Sequence, residues 1–157
     1  LLTKKKIINK TKSFADSLKK IWGIKEPKIG ICSYNPHSGE FGLVGREEIE
    51  IILPAVKEIS KNIQVFGPLS PDSCFSKYTR KDYDGFMCMY HDQALIPIKT
   101  LDFLNSVNIT GGLPILRVSP DHGPAFDIAR LNKVNINSTL ASLNLVSNIV
   151  WNKKDSG

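Results

Sequence analysis

At 157 residues, 41% hydrophobic and 23% charged, the chain has the length and composition of one ordinary globular domain and excludes a disordered or fibrous polymer. No apolar run approaches the ~18 residues of a membrane-spanning helix, and no secretory leader pattern is present, so no membrane partner is expected. The net charge of +6, from 21 Lys+Arg against 15 Asp+Glu, gathers at Lys4–Lys6, Lys10–Lys20 and Lys77–Lys81 without a recognisable nucleic-acid-binding module. That pattern favours solvated faces with a bias toward anionic small ligands and argues against nucleic acid.

The periodicity predicts an amphipathic helix over 3–22, with Ile7, Ile8, Phe14, Leu18 and Ile21 apolar and Gly23 and Pro27 closing it. A strand over 28–34 runs into the loop 35–42, where two glycines and a proline permit turns and close backbone approach to a ligand. Residues 47–60 read as a helix kinked at Pro54. A strand over 63–66 leads to Ser70-Pro71-Asp72, a turn or helix start. The third strand, Phe86–Tyr90, ends in His91-Asp92-Gln93, and Pro97 limits any helix that follows. A hairpin or pair of short strands spans 108–119, broken at Gly111-Gly112. A turn follows at 120–124, and a last helix covers 138–151.

Strands alternating with helices imply an α/β fold, a mostly parallel sheet with flanking helices. The three cysteines, Cys32, Cys74 and Cys88, contain no CxxC pair. Reduced, buried thiols of a cytoplasmic protein are expected.

Three polar clusters share one position, each directly after a predicted strand: Asn35-Pro36-His37, Pro71-Asp72 and His91-Asp92-Gln93. In open α/β sheets ligands bind outside the carboxyl ends of the strands. Parallel strands would therefore bring His37, Asp72 and His91 to one edge, a donor set suited to a divalent metal.

In order, Asn35-Pro36-His37-Ser38-Gly39-Glu40 with Gly45-Arg46-Glu47-Glu48, then Gly67-Pro68-Leu69-Ser70-Pro71-Asp72, then Met89-Tyr90-His91-Asp92-Gln93 stand in the chain. Asn108-Ile109-Thr110-Gly111-Gly112-Leu113-Pro114 follows, with Arg117 and Asp121-His122-Gly123 after it. This series resembles the 4-hydroxythreonine-4-phosphate dehydrogenase family of vitamin B6 biosynthesis over about 2–151. The resemblance implies an isocitrate/isopropylmalate dehydrogenase-like α/β/α architecture and residues 1–157 as a single domain or fragment, the second half of a two-domain enzyme. It also implies a homodimer with a shared active site, NAD or NADP as cofactor, and a divalent metal (zinc, with magnesium or cobalt as alternatives). The implied reaction is oxidation of 4-phosphooxy-L-threonine to 2-amino-3-oxo-4-phosphobutanoate, which decarboxylates to 3-amino-2-oxopropyl phosphate.

Carried over by position, His37 and His91 are expected as metal ligands, with a third histidine upstream of Leu1. Lys99, Asn108 and Arg117 are expected at the substrate, and Asp72 and Asp92 as the acidic catalytic positions, with the base not assigned between them. Gly39, His122 and Gly123 are expected at the cofactor, His122 by its His-Gly turn rather than as a third ligand. The chain departs from the family pattern at Ala94, at 101–106 and at Pro124. The 157 residues alone are expected to be inactive. A paralogue acting on threonate or erythronate 4-phosphate, or a non-catalytic dimerisation or binding fragment, are the competing readings.

Overall fold

The computed structural model describes residues 1–121 and 135–154, with side chains through Ile149. It divides into two compact units, Leu1–Pro97 and Ile98–Gly157.

In the first unit, helix α1 (Lys4–Trp22) starts where the Thr3 hydroxyl accepts the Lys6 N–H at 3.3 Å and ends at Gly23. Its apolar stripe buries Ile7, Ile8, Ala15 and Leu18. Three strands, β1 (Ile29–Cys32), β2 (Val65–Leu69) and β3 (Gly85–Met87), form a parallel sheet in the order β2-β1-β3. The expected α/β arrangement of parallel strands and flanking helices is therefore present. The central strand β1 is buried along its whole length, as expected for a strand covered on both faces. Ile29 and Ile31 point to the core shared with α1 and with α2 (Leu53–Ile59), which contributes Ala55, Val56 and Ile59. Gly30 and Cys32 alternate to the other face, where Phe75, Phe86 and Tyr83 stack with centroids 5.1 Å apart.

Local chemistry moved several boundaries. The helix predicted over 47–60 is present, but it opens with a π-helical turn, Glu48–Ile52, before α2. Pro54 then falls in the first turn of α2, where its missing N–H is least costly. Strand β2 begins two residues late because the Asn62 and Ile63 N–H groups still bond to the Ile59 carbonyl. As an edge strand it tolerates Pro68 and continues to Leu69, whose carbonyl accepts the Ser33 N–H at 2.8 Å.

Two short helices follow, α3 (Pro71–Cys74) and α4 (Lys77–Arg80). Strand β3 is shorter than predicted, and His91 opens helix α5 (His91–Leu101) instead of a loop. Pro97 lies inside α5 without ending it, since a proline there removes one backbone hydrogen bond while the rest of the ladder persists.

In the second unit, the expected hairpin is formed by antiparallel β4 (Val107–Thr110) and β5 (Arg117–Pro120). Helix α6 (Asn137–Lys154) is joined to it through Ser138, whose hydroxyl donates to the Ser106 carbonyl at 2.9 Å and accepts the Asp121 N–H at 3.1 Å.

Candidate functional site

The carboxyl ends of β1 and β2 deliver the chain into a pocket of about 210 Å³ lined by Tyr34, Asn35, Pro36, His37, Ser70, Pro71, Asp72 and Tyr90. Two of the predicted site residues, His37 and Asp72, thus face one space although 35 positions separate them. The Ser70 side chain hydrogen-bonds the Asp72 carboxylate and holds its pKa below the ordinary carboxylate value, and the neighbouring His37 pulls in the same direction. Asp72 is therefore fully ionised near neutrality.

His91 is exposed and lies outside the pocket lining, directly after Tyr90. Its Nδ1 is 2.7 Å from Asp92 Oδ1. With the Nδ1 proton held by that carboxylate, Nε2 carries the lone pair in the neutral ring, the arrangement found where imidazole binds a metal. His37 offers a second exposed imidazole. Among the described residues, no three His, Cys, Asp or Glu side chains are grouped so as to hold a metal ion. Imidazole is a suitable donor for a divalent ion, and a full ligand set would need residues beyond His37 and His91.

The loop that carries His37 is held in an unusual backbone conformation. His37, Ser38, Gly39, Glu40 and Phe41 all have positive φ, between 44° and 78°. For non-glycine residues the left-handed region costs about 1–2 kcal/mol each, so the surrounding structure must impose it. Glu48 anchors the turn that leads into this run. Glu48 is a buried residue, 3% exposed, and its carboxylate accepts the Tyr34 N–H at 2.7 Å, the Asn35 N–H at 2.8 Å and the Asn35 side-chain amide at 2.9 Å. Burial pushes the Glu48 pKa up, but these donors outweigh it and the net shift is downward. Gly39, buried with φ +78°, fits against the same carboxylate: a Cβ there would stand 2.7 Å from Glu48 Oε2 and from the Gly45 carbonyl. Packing within the loop thus accounts for a glycine at position 39.

Gln93 performs the matching task between β1 and β3. Buried at the first turn of α5, its Oε1 accepts the Met89 N–H at 2.8 Å and its Nε2 donates to the Ser33 carbonyl at 2.7 Å. It ties together the two strand ends from which Tyr34 and Tyr90 project. Those rings meet edge to face with centroids 6.2 Å apart.

The remaining predicted residues belong to the second unit. Lys99 Nζ pairs with Asp121 Oδ2 at 3.1 Å, donates to the Asp121 carbonyl and to Ser106 Oγ, and sits 5.0 Å over the Phe103 ring. The register sets Asn108 opposite Ser119 and Thr110 opposite Arg117, so Asn108 and Arg117 share one face of the hairpin. Arg117 donates to Thr110 Oγ1 at 2.9 Å. His122 and Gly123 lie outside the described residues. Glu48 and Gln93 both fall within the motifs that carry the family resemblance, yet nothing in the sequence marks either as buried. An amphipathic helix start hides the first, and a polar triad the second.

A parallel α/β sheet with a histidine–carboxylate pocket at its carboxyl edge belongs to the class of proteins that bind small ligands at strand ends. The chain is a member of the family described as pyridoxal phosphate biosynthetic protein PdxA, whose model matches residues 1–146. It is 49% identical over 149 residues to the 4-hydroxythreonine-4-phosphate dehydrogenase of Caulobacter vibrioides, covering 94% of this chain and 45% of that protein. The crystal structure of 4-hydroxythreonine-4-phosphate dehydrogenase from Klebsiella pneumoniae superposes with a TM-score of 0.82 at 41% identity, over 94% of this chain and 45% of that one. A terephthalate 1,2-cis-dihydrodiol dehydrogenase from Burkholderia xenovorans also matches, with a TM-score of 0.71 at 32% identity over 92% and 46% of the two chains. The chain thus spans about half the length of the relatives it matches.

Proposed function

We propose that the protein to which these residues belong oxidises 4-phosphooxy-L-threonine with NAD or NADP in the synthesis of pyridoxal phosphate. The observation that carries this reading is the 49% identity to a relative of that name over nearly the whole chain. In the reaction the alcohol carbon loses a hydride and its oxygen a proton. The resulting 2-amino-3-oxo-4-phosphobutanoate, a β-keto acid, loses carbon dioxide to give 3-amino-2-oxopropyl phosphate. When bound, a divalent ion supplies Lewis acidity at the alcohol oxygen and the nicotinamide cofactor accepts the hydride.

His37 and His91 would hold the ion through imidazole nitrogens. Asp92 orients His91 by keeping the proton on Nδ1. Asp72, ionised with a lowered pKa, is a weak general base and serves by placing negative charge beside His37. Lys99 and Arg117 are the cations suited to a phosphate and a carboxylate, and Asn108 adds neutral hydrogen bonding. The isocitrate/isopropylmalate dehydrogenase-like architecture, a homodimer sharing its site, and a third metal ligand from outside these residues belong to the same proposal.

A second reading, a paralogue acting on another substrate such as threonate or erythronate 4-phosphate, draws on the match to the dihydrodiol dehydrogenase, a related chain with a different substrate name. Purified full-length protein with zinc and NAD+ or NADP+ separates the two. Reduction of the nicotinamide with 4-phosphooxy-L-threonine, at least ~100-fold more efficient than with threonate or erythronate 4-phosphate, is expected. Preference for either sugar-acid phosphate would overturn the first reading, and the 157-residue piece alone is expected to give no turnover.

A further inference from the structure

All three cysteines meet on the sheet face opposite α1 and α2. Cys32 Sγ lies 3.8 Å from Cys74 Sγ and 3.9 Å from Cys88 Sγ. None is joined in a disulfide, Cys32 and Cys74 are buried, and Cys88 is partly exposed. Cys32 is the last residue of β1. The register that pairs Ile31 with Met87, continued by one residue, sets Cys32 opposite Cys88. Each of these cysteines stands two residues before a pocket tyrosine, Tyr34 and Tyr90 respectively. The reaction assigned to the protein above uses none of the three thiols.

We propose that Cys88 and Cys32 form an oxidation site, in which a hydroperoxide converts the two thiols to a cross-strand disulfide two residues before the pocket tyrosines. The Cys88 thiolate attacks the peroxide, the O–O bond breaks, and the sulfur becomes a sulfenic acid while water or an alcohol leaves. Cys32 sulfur then attacks the Cys88 sulfur. The S–S bond forms, the S–O bond breaks, and water departs with the Cys32 proton. The two sulfurs together give up two electrons, and the peroxide accepts them. Cys88 is the first to react because it is the accessible member. The Cys32 thiol that hydrogen-bonds it also holds its pKa down, against the effect of burial. Cys32, fully buried, is reached only by its neighbours and acts as the resolving thiol.

Disulfide sulfurs stand ~2 Å apart, so closing the bond draws the two sulfurs together by about 2 Å. The displacement falls between the strand ends that Gln93 ties and that carry Tyr34 and Tyr90.

The test uses full-length protein exposed to a small excess of hydrogen peroxide, followed by blocking of free thiols, digestion without reductant and mass spectrometry. A peptide pair linked through Cys32 and Cys88, lost after dithiothreitol, is expected, and Cys88→Ser should abolish it while Cys74→Ser retains it. Three results would overturn the site: a Cys32–Cys74 link in its place, sulfinic acid at Cys88 without any link, or unmodified thiols under conditions that oxidise free glutathione. Because the readout is the bond itself, it stands or falls independently of which substrate the protein oxidises.

Discussion

Glu48 shows how much of a site can depend on a residue outside the pocket lining. Its carboxylate takes three hydrogen bonds from the turn that launches His37. In Glu48→Gln one oxygen becomes an NH2 group, which sets a donor against the donors of Tyr34 or Asn35. A loss of about 2 kcal/mol in unfolding free energy at neutral pH is expected from stranding one of those groups.

The pH dependence has a definite sign. The folded pKa is depressed below its ordinary value of 4.5, so the carboxylate's contribution is complete above that value and is lost as pH falls through the folded pKa. Denaturant titrations should therefore show the gap between wild type and Glu48→Gln narrowing in acid. A gap of equal size at neutrality and at about pH 3 would mean that charge is not what holds the turn. His37 itself was legible from Asn35-Pro36-His37 directly after a strand. Glu48 was not, because a glutamate at the start of an amphipathic helix ordinarily faces water.

At the scale of elements, periodicity located the strands and the helices α1, α2 and α6 but not α5, which begins at His91 where a loop was expected, and hydrogen bonds that cross between elements moved the ends of the rest. β3 stops early because Gln93 captures the Met89 N–H, and β2 starts late because the end of α2 still claims residues 62 and 63. Such captures depend on partners distant in sequence, which a local pattern does not contain. The left-handed run from His37 to Phe41 belongs with these cases, since only Gly39 within it favours that conformation by itself. Gln93→Leu leaves the Met89 N–H and the Ser33 carbonyl unmatched in a buried place. A destabilisation of about 2–3 kcal/mol is expected by chemical denaturation, with faster labelling of Cys88 by a thiol reagent as the strand ends part. Wild-type labelling rates in Gln93→Leu would show that the bracket does not govern that opening.

For the whole molecule, family membership was readable from five spaced motifs, and the parallel sheet from the alternation of strands and helices. The convergence of His37 and Asp72 followed from that topology. The full ligand set did not, because these residues supply two of the histidines that the proposal requires. Full-length protein carrying His91→Ala should retain less than about a tenth of the zinc bound by wild type, measured by atomic emission after dialysis, as expected when one of three ligands is removed. Zinc content equal to wild type would remove His91 from the ligand set.

The strand order β2-β1-β3 also sets a schedule for making the protein. Ile29, in the middle strand, finds its neighbours at Val65 and Gly85, both synthesised later and on opposite sides. During translation β1 therefore emerges before either of these two neighbours, and α1, made just before it, packs on its apolar face. One edge closes once Leu69 has emerged and the other only after Met87. Those two closures bring Cys88 beside Cys32, so the thiol cluster becomes complete only as the sheet itself is finished.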